Sequence, residues 1–208
     1  MPGRSEANLK SDDMELEIKR QMAHALGFFS IILIYIFGKW YAALIMFLVS
    51  AAFFVLGEYR KNKNKYKIIK VKALDEFEDI IEDEFKTYER KKELPFRGAI
   101  SFYFSCFLVT FLFEPRVAIA SIAVLAFADS LSTVIGTFVG EHKLPINKKK
   151  SWEGSSIFFL TTITILLFFV NPVSALITSI SVTFVEMLPR IDDNLTIPLV
   201  TGVLISML

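Results

Sequence analysis

Apolar positions in this chain run in long unbroken blocks, separated by short stretches that hold nearly all the charge. The blocks lie at Met22–Gly38, Trp40–Gly57, Phe96–Phe113, Val117–Val139, Ser155–Val170, Val173–Leu188 and Ile197–Leu208. A helix needs roughly 20 predominantly apolar residues to cross a bilayer core. The first six blocks approach or reach that length, and the seventh is expected to cross only in part. Lipid-facing strands would alternate apolar and polar residues, and these blocks do not alternate. A helix also satisfies its own backbone groups inside lipid. The pattern therefore predicts an all-α integral membrane protein with about seven transmembrane helices.

The segments between blocks refine that picture. Residues 1–21 form a charged N-terminal segment, and residues 22–208 a single polytopic membrane domain with a polar insertion at 58–95. The first block lacks a small-residue cleavage site and a second block follows at once, so it is expected to be a retained helix. Within the insertion, a basic strip runs from Arg60 to Lys72. Leu74, Phe77, Ile81, Phe85 and Tyr88 then recur at helical spacing among acids, predicting an amphipathic helix. Threading the helices alternately places every long polar segment on one side. Of 23 Lys and Arg residues, only Lys39 and Arg116 fall on the other. Basic loops stay in the cytosol, so the N-terminus, the amphipathic helix and the long loops are expected there.

Composition agrees: 53% of residues are hydrophobic, 21 are Phe, and the mean hydropathy is +0.49. A soluble domain of this size cannot normally bury so much apolar side chain. The single cysteine, Cys106, lies inside an apolar block, which excludes a disulfide framework and a thiolate metal site. There is no Walker-type loop, no Gly-x-Gly-x-x-Gly and no protein-kinase motif set.

Ionisable groups inside apolar blocks are costly and mark functional sites. Asp129 stands in the fourth block, followed by Ser132, Thr133, Gly136 and Gly140. At about 100° per residue, Gly136 and Gly140 share the face of Asp129. The two glycines also fit a helix-packing face, which leaves the carboxylate unexplained. Arg20, His24 and Gly27 share a face at the entry to the first block, and Arg97-Gly98 opens the third. Arg97 also suits an interfacial anchor. Glu186 lies near the end of the sixth block, where Arg190 is one turn away as a possible ion-pair partner. Asp192-Asp193-Asn194 follows, a set of oxygen ligands suited to Mg²⁺, although Asx-rich turns also form for local reasons. The loop after the fourth block carries Lys148-Lys149-Lys150-Ser151-Trp152-Glu153-Gly154. Its cations precede a helix start, an arrangement that suits phosphate and also a topology signal.

Together these residues resemble the membrane CTP-transferase superfamily, which includes dolichol kinase, phytol kinase, CTP-dependent diacylglycerol kinase and phosphatidate cytidylyltransferase. The resemblance rests on Arg20-x-x-x-His24, Arg97-Gly98, Asp129 with Gly136 and Gly140, Lys150-Ser151-x-Glu153-Gly154, and Glu186 with Asp192-Asp193-Asn194-x-x-x-Pro198. The Pro-Gly-His-Gly-Gly and Asp-Arg-x-Asp-Ser ending of the cytidylyltransferases is absent, which favours the lipid kinases, dolichol kinase above all.

The resemblance implies transfer of the γ-phosphate of CTP to the hydroxyl of a membrane polyprenol, with the active site facing the cytosol of a plasma or endoplasmic reticulum membrane. On that reading Asp129, Glu186, Asp192 and Asp193 hold Mg²⁺, with Asn194 in support. Asp129, His24, Lys150 and Glu153 are the catalytic candidates. Arg20, Arg97, Ser132, Gly136, Gly140, Lys150, Ser151, Gly154 and Asn194 bind nucleotide. Phytol or diacylglycerol phosphorylation and cytidylyl transfer are the enzymatic alternatives, and a transporter or scaffold the non-enzymatic one.

Overall fold

A computed structural model describes residues 26–61, 95–189 and 192–208. The segment carrying Arg20 and His24, Arg190, and the amphipathic helix expected in the insertion lie outside the described residues. Those described form six helices and no sheet: α1 (Phe29–Lys61), α2 (Arg97–Leu112), α3 (Pro115–Phe138), α4 (Trp152–Leu166), α5 (Pro172–Met187) and α6 (Asp193–Met207). The all-helical expectation holds. The first two apolar blocks fall in α1, which is two helices meeting at Gly38, whose φ of 76° and ψ of 169° are not helical.

Three of the starts have a local cause. Pro115 and Pro172 occupy first-turn positions, where a missing N–H costs nothing. Asn171 accepts a hydrogen bond from the Ser174 amide, and Ser151 accepts one from the Gly154 amide, capping α5 and α4.

α1 and α3 are long and apolar enough to cross a membrane, whereas the other four helices are apolar but shorter. α3 lies at the centre. In its most apolar window 72% of residues are buried, against 28% in α1. The small residues Ala118, Ala120, Ser121, Ala123 and Ala126 let neighbours close on it. Its middle turn, Val124–Asp129, is π-helical.

The second part of α1 runs antiparallel to α2. Trp40 meets Phe111, Phe47 meets Phe107 and Phe53 meets Tyr103, a ladder of ring contacts at centroid separations of 5.1–6.1 Å. α6 runs parallel to α2: Asn194 bonds to the start of α2, and Gly202 packs on Phe113 past its end. α4 and α5 are antiparallel, joined by Ser155 and Glu186.

Some buried hydroxyls are satisfied within their own helices, as with Ser121 to the Val117 carbonyl and Thr201 to that of Ile197, whereas those of Thr162, Thr178 and Ser179 are buried with no hydrogen-bond partner. The outer faces stay apolar: Tyr35, Phe37, Trp40, Tyr41, Phe168 and Phe184 are all at least half exposed.

Candidate functional site

These helix directions bring the start of α2, the end of α3, the start of α4, the end of α5 and the start of α6 to one end of the bundle. Arg97, Lys150, Glu186, Asp192, Asp193 and Asn194 gather there. At their centre is Lys150, in the loop before α4. Its ammonium lies 2.8 Å from Glu186 Oε1 and 2.7 Å from Asp193 Oδ2, and it also donates to the Glu186 carbonyl. Ser155 donates to the other Glu186 oxygen at 2.9 Å. The Glu186 side chain is only 4% exposed, so both its oxygens need partners, and both have one.

Burial alone would push the Lys150 ammonium towards neutrality. The carboxylates of Glu186 and Asp193 outweigh that and hold its pKa above the ordinary lysine value. Asp193 shifts upward as well, first through burial and then through the nearby Glu186 and Asp192, despite the opposing pull of Lys150. The cluster thus holds more carboxylate than cation.

The spacing offers Glu186 a possible partner in Arg190, which lies outside the described residues. The structure gives Glu186 a partner in Lys150, from a loop 36 residues away. The four expected metal ligands are not assembled either. Among the described residues no three His, Cys, Asp or Glu side chains form a metal site. A lysine occupies the point where Glu186 and Asp193 meet. Mg²⁺ seldom uses an all-protein cage, though, and is commonly held by one or two carboxylates plus substrate phosphates. Asp193 Oδ1 is buried without a hydrogen-bond partner, which fits an oxygen of that kind. Asp192, beside it, lies 3.9 Å from Arg97.

Asp129 is 8% exposed and closes the π-helical turn, which packs on α4 and α6. Extra turns of this kind are frequent at functional sites. Ser132 donates to the Asp129 carbonyl, so its hydroxyl serves the helix itself.

Several residues expected to contact nucleotide have architectural roles. α3 ends at Phe138, so Gly140 falls beyond the helix and the face shared with Asp129 stops at Gly136. A Cβ on Gly140 would strike Ser151, and one on Gly154 would lie 3.0 Å from the Ser132 carbonyl and 3.2 Å from Gly136 Cα. The three glycines therefore let the end of α3 touch the start of α4. Ser151 is the α4 cap. Glu153 accepts from the ring of His142 at 2.6 Å and from the His142 amide, fastening the loop to the helix. That hydrogen bond holds the Glu153 carboxyl down at about 2. Asn194 donates to the Gly98 carbonyl and to Ser101, tying α6 to α2.

Ser155 and His142 were missed as partners. Ser155 follows the Ser151 cap by one turn and so faces inward with it, a signal legible only once the helix start is known.

No protein-family model matches the chain, and no solved structure does. Curated proteins do. A probable chloroplastic phytol kinase of Triticum aestivum is 27% identical over 135 residues, covering 55% of this chain and 45% of that protein. A chloroplastic farnesol kinase of Arabidopsis thaliana is 34% identical over 103 residues, 41% and 34% of the two chains. An uncharacterised protein of Rickettsia prowazekii is 28% identical over 202 residues, 92% and 94%. The chain spans less than half the length of the plant kinases it matches. The named relatives are kinases of isoprenoid alcohols, and none of those three is named for dolichol.

Proposed function

We propose that the protein is a membrane-embedded kinase that transfers the γ-phosphate of CTP to an isoprenoid alcohol of the phytol or farnesol type. The observation that carries this reading is the convergence of Lys150, Glu186 and Asp193, with Asp192 and Arg97 beside them, at one end of a bundle whose outer surface is apolar. An apolar exterior on this scale favours lipid surroundings over water, and the charge bias between loops favours a cytosolic site. Phytol and farnesol replace dolichol as the preferred acceptors because similar proteins carry those names. The choice of CTP rests on the motif resemblance.

Phosphoryl transfer requires alignment and charge neutralisation more than covalent chemistry. The alcohol oxygen attacks the γ-phosphorus, the bond to the β,γ-bridging oxygen breaks, and CDP leaves with that electron pair. The hydroxyl proton passes to a carboxylate of the cluster. Lys150 moves from the two acids onto phosphate, and Arg97 adds a second cation. Asp193 and Asp129 would hold Mg²⁺, which draws charge from the phosphate oxygens when bound.

The test is to offer CTP labelled in the α- or the γ-phosphate together with phytol, farnesol, dolichol or phosphatidate. Only γ-label should enter lipid, and only with phytol or farnesol. Entry of α-label into phosphatidate would instead indicate cytidylyl transfer. A transporter or scaffold would label nothing.

A further inference from the structure

We infer that the groove between α1 and α2 seats the acceptor alcohol, gripping only the part of its chain nearest the hydroxyl. This inference rests on the kinase reading and assigns its lipid site. The groove encloses about 450 Å³, within the roughly 300–1,000 Å³ usual for small-molecule pockets. Its walls run from Phe47 to Phe54 on α1 and from Arg97 to Phe104 on α2. On both helices the lining positions recur at i, i+3, i+4 and i+7, so the contact is two turns deep, roughly 10 Å at 1.5 Å per residue.

Polarity is concentrated at one end. Phe47, Ala51, Phe54, Ile100 and Phe104 make the walls apolar, whereas Arg97 and Asp192 stand at the start of α2. The two serines in the lining are already engaged: Ser50 donates to the Ile100 carbonyl, and Ser101 donates to that of Gly98 and accepts from Asn194. An apolar channel ending in one cation and one anion, 3.9 Å apart, suits a chain with a single neutral polar terminus. An anionic headgroup would meet the Asp192 carboxylate. The side is open, since Phe47, Phe54 and Phe104 are 42%, 50% and 38% exposed, so a chain can enter laterally.

The polar end also has the right neighbour. Asp192 lines the groove while Asp193, the next residue, holds Lys150. A hydroxyl accepted by Asp192 is thereby delivered beside the phosphate-binding lysine. Because only the proximal chain is gripped, farnesol and phytol bind alike despite their different lengths.

The experiment uses the full chain purified in detergent and a farnesol bearing a photoreactive diazirine near its hydroxyl. Crosslinks are expected within 47–54 and 97–104, competed equally by farnesol and phytol and not by phosphatidylcholine. Ala51→Trp, which fills the groove, should lower labelling and raise the alcohol KM by about tenfold while the CTP KM stays put. Ala51→Leu should do so partly, and Val55→Trp, outside the groove on the same helix, should do neither. Labelling elsewhere, equal competition by phosphatidylcholine, or an unchanged alcohol KM in both Ala51 variants overturns the groove. Groove labelling in a protein that phosphorylates no alcohol retains the lipid site and removes the kinase.

Discussion

At the scale of single residues, Lys150 sets the energetics. It is the only cation bonded to Glu186 among the described residues, and Glu186 is nearly fully buried. Lys150→Met leaves that acid facing Ser155 alone and should cost about 3–5 kcal/mol, the usual loss when one member of a buried pair is removed. The thermal midpoint of the variant in detergent would report it, and adding Glu186→Gln should recover most of the loss. Since the Lys150 pKa is raised, its contribution is fully present below the ordinary lysine value of 10.5 and fades as pH rises beyond it. Glu153 behaves in the opposite sense. Its support for the His142 loop holds above the ordinary carboxylate value of 4.5 and is lost as pH falls towards about 2. A carbon-13 titration of that carboxyl should show its midpoint return towards 4.5 in His142→Ala. Asp129→Asn keeps the shape of a buried side chain and should leave the midpoint nearly unchanged while abolishing γ-label transfer.

Among the elements, glycine positions decide which helices touch. Gly38 has open space where a Cβ would go, so Gly38→Ala clashes with nothing, yet it must adopt a positive φ. The cost should be about 1–3 kcal/mol from the backbone alone. Gly154→Ala is different in kind: its methyl would press on backbone in α3, forcing α3 and α4 apart at a cost of about 1–3 kcal/mol. Loss of activity should accompany it, because Lys150 and Ser155 flank the contact. Thermal midpoints and γ-label transfer, measured together, separate the two variants: Gly38→Ala loses stability only.

At the scale of the whole molecule, the hydrophobic pattern located the helices well. Phe96–Phe113 became Arg97–Leu112 and Val173–Leu188 became Pro172–Met187, because apolar length and flanking charge fix where a helix lies. The gap between the first two blocks survives as the break at Gly38. Partnerships were less legible. Helical spacing offered Glu186 a neighbour one turn away, but the lysine it bonds is brought in by the packing of α4 against α5, which no local pattern encodes. The π-helical turn at Val124–Asp129 was likewise invisible, since an extra residue in a turn leaves no compositional mark.

A lysine seated between two acids also bears on the order in which ligands arrive. The resting cluster already carries a counterion of its own, so a bare divalent ion has little to gain by entering, and Mg²⁺ alone should barely raise the midpoint. Magnesium nucleotide brings both the metal for the acids and the anion for the lysine. The two should arrive as one complex and raise the midpoint by several degrees.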